Sequence, residues 1–273
     1  MNIGLIGTGN MGGILTEALI DGNAVSPASL MIINRTKFKA RLLKDKYKEI
    51  RIGMTAGEVA LKSDLLFICV KPLDAFPILR EIASYLSEDK CLISITSPIS
   101  TQQLENIVSC SVIRAIPSIT NRALAGVSLI TYGDHCQEHW KTTVKQLFEK
   151  ISVPVEIDEK VTRVASDIVS CGPAFFSYIL QKFIEGAVKE TDIGEEIATK
   201  LASEMMIGLG DLLKQGHYTL PTLIEKVCVK GGITGVGLEV LERELGEVFE
   251  HLFRATQEKF AEDLEKVRLQ FSK

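Results

Sequence analysis

The sequence has no long hydrophobic run, no strong excess of one charge and no closely paired cysteines. Its dense apolar runs, such as residues 65–70, are far shorter than the roughly 20 residues that span a bilayer. The formal net charge is only -4 over 273 residues, so the chain has no general attraction for nucleic acid or acidic lipid. We therefore expect no membrane partner and no nucleic-acid partner, and any anion-binding site has to be local.

The six cysteines are scattered and form no Cys-x-x-Cys pair. This distribution is typical of reduced thiols and argues against a zinc site, so no metal is expected. The chain begins with an apolar run and lacks the basic region and cleavage site of a secretory signal. Together these features predict a cytoplasmic protein.

The composition and length are those of a globular enzyme or binding protein larger than one average domain. Hydrophobic residues make up 46% of the chain and charged residues 24%, which excludes disorder and a small disulfide scaffold. Six short, β-rich runs alternate with helix-forming stretches in the first half. Their ranges are 2–6, 30–33, 65–70, 91–95, 112–115 and 127–131.

Strands that are apolar throughout suit a parallel sheet that is buried on both faces. The predicted fold class is therefore α/β, with an N-terminal Rossmann domain, a doubly wound parallel sheet, over residues 1–158. An acidic stretch at 154–160 is interpreted as a linker together with a last strand.

Residues 159–273 show helical spacing and are expected to form an all-helical domain. Pro173 suits the first turn of a helix that runs to about residue 188. Further helices are predicted at 195–215, 220–227, 236–245 and 247–270. Small residues such as Gly186 and Gly208 leave two alternatives open, which are close packing against a second subunit and a self-contained bundle.

The first predicted strand leads directly into Gly7-Thr8-Gly9-Asn10-Met11-Gly12. This G-x-G-x-x-G pattern lies between a strand and a helix, which is the context that gives it meaning. The first glycine permits the tight turn, the second lets the backbone approach a pyrophosphate, and the third allows close helix packing. The turn predicts dinucleotide binding.

The end of the second strand indicates which dinucleotide is bound. NAD-binding domains commonly place an acid there, whereas this chain has Asn34-Arg35-Thr36-Lys37. A guanidinium can pair with the 2′-phosphate of NADP, so NADP(H) is expected to be preferred over NAD(H). The alternative is that Arg35 and Lys37 are ordinary solvated charges at a helix start.

Val70-Lys71-Pro72 closes the third of the predicted strands, at the sheet edge where open α/β folds bind ligands. Its functional interpretation is a loop beside the nicotinamide or its ribose. The alternative is a simple strand terminator, because proline removes a backbone donor.

These motifs, with several further along the chain, resemble the pyrroline-5-carboxylate reductase family, in order and nearly end to end. The further motifs are Val112-Ile113-Arg114-Ala115-Ile116-Pro117, Gly172-Pro173-Ala174 and Gly231-Gly232-Ile233-Thr234. The resemblance implies NAD(P)H-dependent reduction of Δ1-pyrroline-5-carboxylate, a cyclic imine, to L-proline. It also implies a homodimer formed through the helical domain, which can assemble into a higher oligomer of dimers.

The resemblance also assigns roles to residues outside the glycine turn. Gly231, Gly232, Ile233 and Thr234 are implied to bind the substrate, with Thr234 near the ring nitrogen as the catalytic hydroxyl. Thr96 and Ser97 stand where the family has A-A-G, and they are implied to contact the cofactor. Successive N–H groups in a Gly-Gly turn suit a carboxylate, and a protonated imine accepts hydride without a catalytic histidine.

The substrate end departs from the family pattern more than the cofactor end does. Val229-Lys230 replaces the family's Ser-Pro before the Gly-Gly turn, and Cys171 replaces a serine before Gly172. Such departures resemble a divergent branch of the family, that of late competence proteins of the ComER type. The alternative function is therefore a regulatory, competence-associated protein that binds a dinucleotide with little or no turnover.

A third class, the β-hydroxyacid dehydrogenases, needs a lysine about four residues after a glycine motif to protonate a carbonyl. Gly172 is followed by Pro-Ala-Phe-Phe, and Lys182 lies too far along the helix. This class is disfavoured.

Overall fold

The structure, a computed structural model that describes residues 1–272, contains an eight-stranded sheet within that range. The strands are β1 Ile3–Ile6, β2 Leu30–Ile33, β3 Arg51–Ile52, β4 Leu65–Ile68, β5 Cys91–Ser94, β6 Ser111–Ile116, β7 Val127–Tyr132 and β8 Val153–Glu156. All six predicted strands are confirmed. The sequence did not predict β3, which has two exposed residues and no hydrophobic pattern.

The helices alternate with the strands in the first half and follow one another in the second. They are α1 Asn10–Asp21, α2 Lys37–Lys46, α3 Ala56–Leu61, α4 Pro72–Ile82, α5 Thr101–Glu105, α6 Glu138–Glu149, α7 Thr162–Ser166, α8 Gly172–Glu190, α9 Glu195–Lys214, α10 Leu220–Val227, α11 Ile233–Leu245 and α12 Val248–Phe271. The five predicted helices of the second half are confirmed. The start of α11 lies three residues before the predicted one, directly after Gly232.

The strand order is β3-β2-β1-β4-β5-β6-β7-β8. The chain leaves β1 towards β2 on one side and returns to β4 on the other, so the order reverses beside β1, where open α/β sheets bind ligands. The pairs from β3 to β6 are parallel. This arrangement confirms the Rossmann fold class.

The far end of the sheet departs from a purely parallel arrangement. β7 pairs with β6 in the antiparallel sense, and β8 then pairs parallel with β7. The chain between β6 and β7 has only a short 3-10 turn, Ile119–Ala123. Antiparallel neighbours need no crossover helix, so this short connection suffices.

Two hydrophobic clusters cover the two faces of the sheet. One contains Leu5 and Phe67 with Trp140 of α6. The other contains Leu66 and Ile68 with side chains of α3, α4 and α5. Burial on both faces explains why the parallel strands are apolar without alternation.

The chain forms two compact units. The sheet unit comprises Met1–Pro173 together with the chain from Ala255 on, and the helical unit comprises Ala174–Arg254. The C-terminal part of α12 thus belongs to the sheet unit, where Val267 is fully buried in the cluster that includes α4. Phe271 also packs against Phe76 of α4, with 5.0 Å between ring centroids.

Large apolar side chains of the helical unit are exposed in the single chain. Phe183 of α8, Leu201 of α9, Ile224 of α10 and Leu241 of α11 are among them. Exposed apolar side chains in such number are typical of an interaction surface. No helix among residues 1–272 is both long enough and apolar enough to cross a bilayer.

Candidate functional site

A cleft of about 510 Å³ opens at the carboxyl ends of β1, β2 and β4, beside the reversal of strand order. Its walls come from the loops after these three strands and from α4. They include Gly7, Gly9, Asn34, Arg35, Thr36, Lys39, Val70, Lys71, Asp74, Pro77 and Ile78. The structure therefore brings together residues from three motifs that sequence analysis assigned to a cofactor. Asn10 and Met11 occupy the first turn of α1.

The three glycines of the turn differ in their surroundings. Gly7 has φ +102°, a left-handed conformation that favours glycine, and its N–H donates to the Ile33 carbonyl at 2.8 Å. A β-carbon at Gly12 would overlap the carbonyl oxygen of Gly7, whereas a β-carbon at Gly9 would have no protein atom within 4 Å. Gly12 thus permits close packing of α1, and Gly9 leaves space on the cleft side.

The start of α1 is suited to an anion. Gly9 caps the helix without any side-chain hydrogen bond, and the first turn has no acidic residue. The backbone N–H groups there carry the positive end of the helix dipole. The Thr8 hydroxyl is buried and has no hydrogen-bond partner within residues 1–272, and a buried polar atom of this kind calls for a ligand or water. These residues fit a dinucleotide pyrophosphate.

Asn34 joins the glycine turn to the loop after β2. Its side-chain Oδ1 accepts the Thr8 N–H at 2.9 Å, and its Nδ2 donates to the Thr36 carbonyl at 3.0 Å. The two loops are therefore held at a fixed separation on either side of the cleft. Asn34 acts on the shape of the cleft through the backbone.

Arg35 extends into solvent beside the cleft, with 87% of its side chain exposed. Its Nη1 lies 3.7 Å from Oδ1 of Asp74, which is in the first turn of α4. The sequence has no acid at the end of β2, and it does not predict Asp74 at this position because Asp74 comes from a different loop. Lys39 lines the cleft, while Lys37 begins α2.

Lys71 and Pro72 form the start of α4, with Lys71 as the extended N-cap and Pro72 at the first helical position. The nearby Thr96 is buried, and its hydroxyl donates to the Val70 carbonyl at 3.4 Å. Ser97 lines a second cavity of about 380 Å³ with Pro72. The loops after β4 and β5 are therefore adjacent.

A buried cation, Arg114 of β6, supports the loop after β5. Its guanidinium donates to the carbonyls of Ser97 at 3.3 Å and Ile99 at 3.4 Å, and to the Thr162 hydroxyl at 2.6 Å. Burial lowers the pKa of Arg114, and the carboxylate of Glu159 opposes this shift. Arg114 lies within one of the family motifs, but the sequence alone predicts no role for it.

The wall of the 380 Å³ cavity contains a second buried ionic group. Arg163 of α7 pairs with Asp167 at 2.8 Å, and the Thr256 hydroxyl of α12 donates to the other Asp167 oxygen at 2.7 Å. The Arg163 guanidinium also lies over the Phe260 ring, 5.5 Å from its centroid. These contacts connect α7 with α12 inside the sheet unit.

The residues predicted to bind substrate lie together in the helical unit, at the start of α11. Gly231 has φ +74°, and the Gly232 N–H donates to the Val229 carbonyl at 2.9 Å. Gly232 caps α11 without a side-chain bond, and no acid lies in the first turn. Ile233 and Thr234 are exposed. Free N–H groups at such a start suit a carboxylate.

Comparison with known proteins agrees with these observations. Residues 159–263 match the model of the pyrroline-5-carboxylate reductase dimerisation family, and residues 2–98 match that of NADP oxidoreductase, coenzyme F420-dependent. The chain is 49% identical over 271 residues to ComE operon protein 4 of Bacillus subtilis (strain 168), covering 99% of each chain. It is 29% identical over 259 residues to pyrroline-5-carboxylate reductase 3 of the same organism, covering 94% of this chain and 95% of the relative.

Among solved structures, the fold is similar to that of Plasmodium falciparum pyrroline carboxylate reductase with NADP bound. The TM-score is 0.82 at 24% identity, and the alignment covers 98% of each chain. A Coxiella burnetii pyrroline-5-carboxylate reductase gives a TM-score of 0.83 at 20% identity, covering 97% of this chain and 98% of that one. These two likenesses concern the fold.

The fold, cleft and family models define an NAD(P)-dependent oxidoreductase type of protein. Within that class, the chain belongs to the pyrroline-5-carboxylate reductase family. The likeness to ComE operon protein 4 confirms the expected similarity to the ComER-type branch of the family.

Proposed function

We propose that the protein is an NADPH-dependent imine reductase that reduces Δ1-pyrroline-5-carboxylate to L-proline in the cytoplasm. The observation that carries the proposal is the cleft beside β1, which combines a helix start suited to an anion with the Arg35 guanidinium after the end of β2. When bound there, a reduced nicotinamide supplies hydride. We further propose residues 1–158 as the cofactor domain and 159–273 as the substrate and dimerisation domain, although residues 159–173 and the chain from Ala255 pack in the sheet unit.

Arg35 is proposed to select NADPH. Its side chain is largely free, so it can form a charge-assisted contact with the 2′-phosphate without losing a strong protein partner. Arg35→Glu should lower the ratio of NADPH to NADH affinity, measured by titration of both cofactors. An unchanged ratio would remove Arg35 from cofactor selection.

The turn at Gly231 and Gly232 is proposed to bind the substrate carboxylate through backbone N–H groups, and Thr234 to bond the ring nitrogen. Hydride adds to the carbon of the protonated C=N bond. The π electrons of that bond become the lone pair of the amine nitrogen. The nitrogen keeps its proton, so no strong general acid is required. Thr234 needs only to orient the ring.

The test is a steady-state assay of NADPH oxidation with Δ1-pyrroline-5-carboxylate. Thr234→Ala should lower kcat/KM much more than it weakens NADPH binding, while Thr234→Ser, which keeps the hydroxyl, should retain most of the turnover. Equal loss of turnover and NADPH binding in Thr234→Ala would assign the residue to the fold.

A second candidate function is regulatory, with dinucleotide binding and little turnover. It is favoured by Val229-Lys230 where the family has Ser-Pro, and by the identity of 49% to ComE operon protein 4. Measurable NADPH binding without turnover in the same assay would favour this function over the reductase.

A homodimer formed by the helical units is also proposed, with assembly into dimers of dimers as a further state. The exposed apolar side chains of α8 to α11 and the match to the dimerisation family model support it. Light scattering after gel filtration should give a mass of two chains or an even multiple. A monomer at micromolar concentration would contradict the proposal.

A further inference from the structure

Asp74 occupies a distinctive position at the cofactor cleft. It is the one acidic side chain lining the cleft within residues 1–272, and it stands across from Arg35. It also lines an adjoining cavity of about 480 Å³ with Lys71, Asp263 and Lys266. Asp74 therefore lies at the boundary between the cleft and the adjoining cavity, and its side chain lines both.

The contact between Asp74 and Arg35 is a loose one. The nitrogen and oxygen are 3.7 Å apart, and the two side chains are 42% and 87% exposed. An exposed pair at this distance contributes little to stability, so either group can turn to a ligand. The pair is therefore better explained by what it does to a ligand than by what it adds to the fold.

The two charges have opposite preferences for a dinucleotide. A 2′-phosphate beside Arg35 is attracted by the guanidinium and repelled by the carboxylate across the cleft. A free 2′-hydroxyl can donate a hydrogen bond to a carboxylate, which is how NAD-binding domains use an acid at the end of the second strand. Here the acid comes from the first turn of α4.

We propose that Asp74 is a cofactor-selecting residue that weakens NADPH binding and strengthens NADH binding. Arg35 and Asp74 together then set a moderate preference and allow both cofactors to be used. This inference rests on the proposed dinucleotide function of the cleft.

The test compares Asp74→Asn, which removes the charge but keeps the shape, with the wild type. NADPH and NADH are titrated by calorimetry, and adenosine 2′,5′-bisphosphate and AMP serve as probes without nicotinamide. The variant should bind NADPH about 3- to 10-fold more tightly and NADH more weakly, since partial exposure screens the charges. The two probes should show the same divergence.

Asp263→Asn is the matched control, because Asp263 lines the adjoining cavity but not the cleft and the variant changes net charge equally. Its affinity ratio should match the wild type. A ratio unchanged in Asp74→Asn, or shifted as much by Asp263→Asn, would overturn the inference. If Asp74→Asn lowers the affinities for NADPH and NADH equally, Asp74 acts on the adenosine part that the two cofactors share. That result would also overturn the inference.

These outcomes separate the inference from the proposed function. If the wild type binds neither dinucleotide, the proposed function fails and the inference fails with it. If the wild type binds both and the Asp74→Asn ratio stays within twofold, only the role of Asp74 is refuted. A melting temperature near that of the wild type shows that each variant is folded.

Discussion

Alanine at Gly9 and alanine at Gly12 are expected to have different consequences, although both residues belong to one motif. A β-carbon at Gly12 would overlap the Gly7 carbonyl oxygen and lie 2.9 Å from the Cys69 side chain. A β-carbon at Gly9 would contact nothing, and the Gly9 backbone, at φ -71° and ψ -160°, is extended. Gly12→Ala thus perturbs the fold, whereas Gly9→Ala perturbs only the cleft.

The magnitudes follow from these surroundings. Overpacking at Gly12 should cost about 1–3 kcal/mol, or roughly 2–12 °C in melting temperature at 2–4 °C per kcal/mol. Gly9→Ala should change stability by less than about 1 kcal/mol, because alanine restricts the unfolded chain but is a poorer N-cap than glycine. Its methyl group would, however, keep the pyrophosphate from the backbone. Loss of one charge-assisted hydrogen bond, about 1.5–3 kcal/mol, weakens NADPH binding roughly 10- to 100-fold.

The assay is differential scanning fluorimetry for melting temperature and calorimetric titration for NADPH affinity, on both variants and the wild type. Gly9→Ala should lower only the affinity for NADPH. Gly12→Ala should lower both the affinity for NADPH and the melting temperature. A wild-type melting temperature in Gly12→Ala would refute the close-packing argument. A large fall in the melting temperature of Gly9→Ala would show that Gly9 is required for the fold.

Three further predictions concern buried polar groups. Thr8→Val should weaken NADPH binding about 3- to 10-fold without lowering the melting temperature, because the buried hydroxyl has no protein partner within residues 1–272; unchanged affinity by calorimetry would remove Thr8 from the site. Arg114→Met should lower the free energy of unfolding by about 1–3 kcal/mol in urea, because it leaves buried acceptors unpaired; a loss below about 0.5 kcal/mol would contradict the network. Burial raises the pKa of Cys110 to about 12 and of Cys136 to about 11, so these thiols stay protonated at pH 8. A chromogenic disulfide reagent should titrate at most the two half-buried cysteines in the native protein and all six after unfolding, and rapid reaction of three or more in the native protein would contradict this.

The sequence predicts most of the fold because burial leaves a regular pattern. Strands buried on both faces are continuous apolar runs, and the helix at α8 has both its apolar spacing and Pro173 in its first turn. Strand direction has no such signature, so the antiparallel pairing of β7 was not predicted. The strand β3 has only two residues, both exposed, so it leaves no hydrophobic pattern from which it could be predicted.

The candidate site could be predicted where its residues are contiguous. The glycine turn and the loop after β2 are each read from a few neighbouring letters, and the structure places both at one cleft. Asp74 faces Arg35 only because parallel strands bring distant loops to one edge of the sheet. The role of Arg114 could not be predicted from the sequence either, because its hydrogen-bond acceptors lie in other elements.

The return of α12 to the sheet unit affects the order in which the protein can fold. Val267 completes a core that otherwise consists of residues from the first part of the chain, so the helical unit is an insertion within the sheet unit. On the ribosome, that core is incomplete until α12 has been synthesised, and the apolar surface of α4 stays uncovered while the helical unit emerges. A fragment ending near residue 158 or 173 should therefore aggregate or depend on chaperones, whereas adding the α12 segment in trans should improve its solubility.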